Sequence, residues 1–154
     1  MPLQLYYFGR AEFQRGEVNW FDDMDQRLLV LLDAFRHQWG RKVVISPHPA
    51  ALGRHGSATE LSDHNITIHG RVFAADVMPQ GMTTQSEVNH ALLYARRIGF
   101  TSIGVYPDWS PAPGLHLGTR PSRRPGDAAE WGAVRQGDQQ VYVSLDVAIN
   151  RFRG

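Results

Sequence analysis

His64, Asp76 and His116 lie at the ends of short β-like runs, and together they offer two imidazole nitrogens and a carboxylate. Two such nitrogens with one carboxylate make the protein half of an open zinc site, in which the fourth position stays available for water and the expected chemistry is hydrolysis. His64 and Asp76 frame the stretch S-D-H-N-I-T-I-H-G-R-V-F-A-A-D, and His116 sits in P-G-L-H-L-G-T-R. Neither stretch has the helical H-E-x-x-H spacing, so the ligands have to be gathered from separate strands. The chain contains no cysteine, which removes thiolate ligands and disulfides and leaves His, Asp and Glu as metal donors. Spacing alone does not select this triple, because seven His and fifteen acidic residues supply many others.

The elements that must position these residues are legible in outline. From Asp22 to Trp39, Met24, Leu28, Leu31, Leu32, Phe35 and Trp39 recur at helical steps before Gly40, which predicts a long helix. Lys42–Ser46 is β-branched and short and predicts a strand, while the Pro, Gly and Ser content of 47–62 predicts a long loop of the kind that carries function. A strand over 71–78, closed by Pro79-Gln80-Gly81, places Asp76 near a strand end. Thr84 and Glu87 have the form of a capping box opening a helix that runs to Ile98 and stops at Gly99. Phe100–Val105 predicts a strand, 106–114 a Pro-rich loop, and Leu115–Thr119 a short strand carrying His116, so that Asp76 and His116 can face each other across a sheet. After a polar stretch, Val141–Val143 predicts a strand and Leu145–Phe152 a last helix capped by Ser144. A long helix followed by irregularly mixed strands and helices indicates an α+β fold with a small, mostly antiparallel sheet and flanking helices.

At 154 residues the chain fits one domain, 1–154, large enough to bury a core without disulfides. No apolar run approaches the roughly 20 residues that span a bilayer, so membrane insertion is not expected. The first ten residues lack the pattern of a secretory signal, so either a leader has been trimmed or the protein reaches its destination by another route. The formal charge of +1 carries no message about partners. The basic stretch Arg120-Pro-Ser-Arg-Arg-Pro125 is short and has no interleaved aromatic residue, so it reads as a solvated loop and no nucleic-acid partner is expected.

The strings S-D-H-N, G-R-V-F-A-A-D-V and P-G-L-H-L-G resemble the zinc D-alanyl-D-alanine carboxypeptidase and L-alanyl-D-glutamate endopeptidase family. That family's motif runs Ser-x-His, a Gly, small residues before an Asp, and a distant His in a strand. The likeness is greatest to phage-associated members and covers most of the chain. It implies a Hedgehog/DD-peptidase-like fold, one zinc ion held by His64, Asp76 and His116, and hydrolysis of an amide bond in peptidoglycan stem peptides. A phage endolysin or a virion-associated lysin would fit, with other virion proteins as partners and either the virion or the host cytoplasm as the compartment before the wall is reached. His69, seven residues before Asp76, competes with His64, but Val72 stands where the family's shorter form has Gly, so His69 reads as a turn residue beside Gly70. His48, His55, His37 and His90 read as loop or helix-surface residues, with His55 able to approach the site.

Two positions depart from the family. Pro113 stands where most members carry a Glu or Asp three residues before the last His, and Gly118 stands where an Asp often follows it. The nearest upstream acid, Asp108 in the Tyr106-Pro-Asp-Trp109 segment, becomes the expected general base, although Pro-Asp is also common turn chemistry. Glu60 and Asp63 are weaker candidates, because a residue beside a ligand on extended backbone usually points away from the metal. Ser62 matches the family's Ser and is expected to touch substrate or support His64. Arg54, Arg71 and Arg120 are the expected carboxylate-binding residues, since a guanidinium binds a carboxylate through two parallel hydrogen bonds. Trp109 and Tyr106 would wall the cleft. A rival reading keeps the fold and the metal but not catalysis, as a structural or binding module of a virion or tail.

Overall fold

Along the central strands, apolar residues alternate with the residues that carry the chemistry. The computed structural model describes residues 3–154, and it contains a short hairpin, a six-stranded mixed sheet and four α-helices. In chain order the elements are β1 (Gln14–Arg15), β2 (Val18–Asn19), α1 (Gln26–Trp39), β3 (Val43–Ile45), α2 (Ile66–His69), β4 (Ala74–Pro79) and α3 (Gln85–Ile98). β5 (Ser102–Tyr106), β6 (Gly114–Gly118), β7 (Ala129–Gln136), β8 (Gln139–Val143) and α4 (Leu145–Ile149) follow. The large sheet has the order β3-β4-β6-β5-β7-β8 and is antiparallel throughout except for the parallel pair β5 and β7. The fold is α+β.

Side chains on a strand alternate between the two faces of the sheet. Ala75 and Val77 of β4, Ile103 and Val105 of β5, and Leu115 and Leu117 of β6 enter the hydrophobic core, while Asp76, Gly104 and His116 between them belong to the opposite face. The helices cover the apolar face: α1 packs on α3 and against β4, and α4 packs against β5 and β7. Leu28, Leu29, Leu32 and Phe35 of α1 are buried in that core, each contributing about 1.5–3 kcal/mol by leaving water.

α1 starts at Gln26 rather than at Asp22. Residues Phe21–Asp23 form a 3-10 turn, Met24 bridges to Val72, and Asp25 caps the helix by accepting from the Leu28 backbone N–H at 3.1 Å. The predicted end at Gly40 is correct, with φ of 74° in the left-handed region that glycine favours. α3 also follows expectation: the Thr84 hydroxyl accepts from the Glu87 N–H at 3.3 Å, and Gly99 ends the helix. α4 is shorter than predicted, and Ser144 stands at its N-cap without a side-chain bond. Asp76 is central in β4 rather than near its end, because the strand begins only at Ala74. Between 120 and 140, where the sequence reads as polar connection, β7 pairs with β5 on one side and β8 on the other.

Candidate metal centre

One row of residues runs across the solvent-facing side of the sheet. Asp76 of β4 pairs directly with His116 of β6, His116 with Gly104 of β5, and Gly104 with Trp131 of β7. The predicted encounter of Asp76 and His116 is therefore built into the strand register. Gly104 has a packing reason to lack a side chain, since a Cβ there would lie 2.7 Å from two atoms of the Trp131 indole. The gap lets that indole reach the His116 ring, with centroids 4.9 Å apart.

His64 comes from outside the sheet, at the end of the long segment between β3 and α2. Its carbonyl accepts from the Arg54 N–H at 3.0 Å, and the Asp63 carbonyl next to it accepts from the Phe73 N–H at 2.9 Å. The segment is organised by Asn65, fully buried, whose side-chain oxygen accepts from the N–H groups of Gly56 at 2.8 Å and Thr67 at 3.1 Å. Its amide nitrogen donates to the carbonyls of Ser57 and Glu60, both at 2.8 Å. One side chain thus caps α2 and pins the loop that delivers His64.

The hydrogen bonds fix which nitrogen of each imidazole faces the site. His64 Nδ1 donates to the Leu52 carbonyl, an acceptor only, so in the neutral ring the Nε2 lone pair is left free, 3.2 Å from Asp76 Oδ1. His116 is held at its other nitrogen. Ser102 Oγ lies 3.1 Å and Asp63 Oδ2 3.3 Å from His116 Nε2, and the Ser102 hydroxyl donates to the same Asp63 oxygen at 2.7 Å. This leaves His116 Nδ1 facing Asp76 Oδ1 at 3.4 Å. His64, Asp76 and His116 each present one ligand atom, and these atoms all lie within 4.8 Å of one another. Three electron-pair donors converge with no hydrogen-bond donor between them, an arrangement that needs either a proton or a cation at its centre. The donor set fits a divalent metal ion, and the second nitrogen of each His has the partner that ligating imidazoles usually require.

The charges agree. Burial pushes the Asp76 carboxyl up, but the imidazoles of His64 and His116 outweigh it and hold its pKa at about 2. Burial pulls His116 down, and the carboxylates of Asp63 and Asp76 more than reverse this and raise it. Asp63, with a side chain 0% exposed, is pushed up by burial and drawn well below the usual carboxylate range by His116, Arg120 and Ser102.

The group forms the floor of a cleft of about 630 Å³, within the usual size of ligand sites. Ser62, Arg54 and Arg120 line it, but both guanidiniums are already paired: Arg54 with Glu60, and Arg120 with Asp63 at 3.0 Å. Arg71 does not line the cleft and donates to the Asp22 carbonyl at 3.4 Å. Asp108 does not line it either. Its carboxylate accepts from the Arg135 N–H at 2.8 Å and from Arg151 at 2.7 Å, an anchor for the end of β7 rather than a group facing the ligand atoms. His69 ends α2 with Nε2 3.4 Å from the Leu61 carbonyl, and His55 packs against Trp20.

Several cleft residues escaped the sequence reading. Asp63, set aside as pointing away, is turned inward beneath His116, because the chain bends into α2 at this point and is not an extended strand. Gly118, where the resemblance leads one to look for an Asp, has no room for a side chain: a Cβ would meet Ser102 Oγ at 2.2 Å and the Phe73 carbonyl oxygen at 2.8 Å. Trp131 donates to the Tyr106 hydroxyl oxygen at 2.9 Å, and Tyr106 stacks on Trp109 with centroids 4.0 Å apart. Burial first, and the Asp76 charge further, keep the Tyr106 phenol far from ionising. No single-sequence pattern marks Trp131 or Ser102; they matter through strand register. No family model, curated protein or solved structure matches the chain.

Proposed function

We propose that the chain is a zinc-dependent peptidase that hydrolyses an amide bond in peptidoglycan stem peptides, with a Hedgehog/DD-peptidase-like fold. The reading is carried by the convergence of His64 Nε2, Asp76 Oδ1 and His116 Nδ1 at the floor of an open cleft, on the three positions to which the family resemblance assigns ligands. A phage lysin, acting from inside the host or from the virion, is the biological setting that the resemblance implies.

His64, Asp76 and His116 would hold the zinc ion, which would supply a Lewis acid for the scissile carbonyl and a water of lowered pKa. The remaining work falls to the chain. Leu52 and Asp63 hold the two imidazoles in the tautomers that present Nε2 and Nδ1 inward. Tyr106 stays protonated, and because its oxygen already accepts from Trp131, its own O–H is left to donate into the cleft towards a carbonyl oxygen that gains negative charge. His48 lines the cleft with Nδ1 accepting from the Ala50 N–H at 3.1 Å, so in the neutral ring its Nε2–H is left to donate a hydrogen bond to a bound peptide.

One observation favours a second reading. The carboxylates that line the cleft among the described residues are Asp63 and Asp76, and both are engaged, while Asp108 is bound to Arg151. With no free carboxylate to take a proton from water, the same geometry suits a metal-binding module of a virion or tail that has no hydrolytic role. Elemental analysis of the purified protein, beside His64→Ala and His116→Ala, followed by incubation with purified peptidoglycan, separates the readings. About one zinc per chain, lost in both variants, with amino groups released from the wall, supports the peptidase. Zinc without released amines supports the module, and a chain without metal overturns both.

A further inference from the structure

The cleft extends well beyond the metal ligands, along the same face of β7 and β8. Trp131 and Arg135 share that face of β7, and Arg135 is paired across the strands with Gln140, while Tyr142 pairs with Ala133. Of the three arginines that line the cleft, Arg54 and Arg120 are neutralised by Glu60 and Asp63, but the Arg135 guanidinium forms no ion pair or hydrogen bond among the described residues. The nearby Asp108 carboxylate feels the Arg135 charge but makes no direct contact with its guanidinium, being hydrogen-bonded to Arg151 and to the Arg135 backbone N–H. Behind this end of the cleft two guanidiniums, Arg135 and Arg151, face one carboxylate, Asp108, which leaves an excess of positive charge.

Gln140 adds a second donor. The Trp109 indole N–H, which can only donate, reaches Gln140 Oε1 at 3.2 Å, and this fixes the amide so that its nitrogen is the group left for a ligand. An unpaired guanidinium and an unpaired amide N–H₂ on directly opposed strand positions form a receptor for an anion with two acceptor oxygens. Tyr142, 69% exposed, forms an apolar flank beside them.

The geometry points to a carboxylate-binding subsite made by Arg135 and Gln140, which reads an acidic group on the substrate some way from the bond that lies at the metal ligands. This inference rests on the peptidase reading and specifies its substrate class. Arg135 is four residues beyond Trp131, roughly 13 Å along the strand, and two strands across from His116, with each strand about 4.8 Å from the next. The long Arg side chain can recover part of that distance. An extended peptide advances about 3.4 Å per residue, so the carboxylate belongs two to four residues from the scissile bond and is not that of the residue immediately released.

The test uses zinc-loaded full-length protein and synthetic stem pentapeptides in which each carboxylate in turn is replaced by a carboxamide. Binding is measured by calorimetry and cleavage by amine release. In the wild type, one carboxamide, two to four residues from the cleaved bond, should weaken binding roughly ten- to hundred-fold, the range expected for loss of a charge-assisted pair. Arg135→Gln should bind that peptide and its carboxylate parent equally, and Arg135→Lys should recover part of the difference. If Arg135→Gln discriminates as well as the wild type, the subsite is wrong even though the peptidase stands. If carboxylate-dependent binding is present and lost in Arg135→Gln but no peptide is cut, the subsite stands and the peptidase reading fails. Absence of both binding and cleavage overturns both.

Discussion

Replacing Asp63 with Asn tests whether the carboxylate beneath His116 sets the metal affinity of the site. The exchange keeps the shape and removes the charge from a side chain with three partners: the Ser102 hydroxyl at 2.7 Å, His116 Nε2 at 3.3 Å and Arg120, which donates to both oxygens at 3.0 and 3.2 Å. Breaking a fully buried pair costs about 3–5 kcal/mol. Arg120 is 30% exposed and can recover some hydration, so about 2–3 kcal/mol is the expected loss of folding stability. Loss of the carboxylate partner of a ligating His lowers metal affinity about 10- to 100-fold, which corresponds to roughly 1.4–2.7 kcal/mol. Zinc affinity is read by competition with a chromogenic chelator and stability by urea unfolding of the metal-free protein. Leu92→Ala, a comparable loss in the core on α3, serves as the control, since it should lower stability by about 2–5 kcal/mol and leave zinc affinity unchanged. An Asp63→Asn protein that binds zinc as tightly as the wild type would refute the reasoning, and an equal loss of affinity in Leu92→Ala would show that general loosening is responsible.

Gly104→Ala forces a Cβ against the Trp131 indole and is expected to destabilise by about 1–3 kcal/mol, with a change in the near-ultraviolet circular dichroism of the tryptophans; unchanged spectra and stability would remove the packing argument. Asp108→Ala should cost about 1 kcal/mol, because its ion pair with Arg151 is partly exposed, and should leave one zinc per chain; a loss of zinc on elemental analysis would place Asp108 at the site after all. Metal-free protein should be most stable between roughly pH 4 and 6.5. The raised pKa of His116 gives stabilisation that is complete below the ordinary imidazole value and lost as pH rises through the raised one, whereas the depressed pKa of Asp76 gives stabilisation that is lost only as pH falls towards about 2. Zinc needs the unprotonated nitrogen, so the rise in melting temperature on adding zinc should grow from pH 5 to pH 8; a gain independent of pH would contradict the assigned ligand atoms.

The two long helices were legible because their signals are local. Thr84 and Glu87 lie one turn apart, Gly40 and Gly99 each terminate a helix by adopting a positive φ, and the apolar spacing between them needs no partner to be recognised. The strands around Asp76 and His116 were found from β-branched or apolar runs, and their pairing followed from length and order. β7 was not found: Ala129–Gln136 mixes Gly, Glu, Arg and Gln with Trp and Val, because it borders solvent at both ends and packs only in the middle. Asp108 looked available because sequence shows an acid near the site but not the arginine that binds it. Arg151 is 43 residues away along the chain.

The sequence by itself determined the residue types that can bind a metal, the two long helices, and the pairing tendency that lets Asp76 meet His116, since these follow from side-chain chemistry and from periodicities of a few residues. Tertiary structure alone decided that Asp63 supports His116, that Ser102 fills the space beside Gly118, and that Trp131 packs against His116 through the gap at Gly104. It also decided which arginine remains free in the cleft. Each of these depends on strand register and on contacts between distant segments, and register is set by the summed burial of the whole sheet rather than by any short stretch of chain.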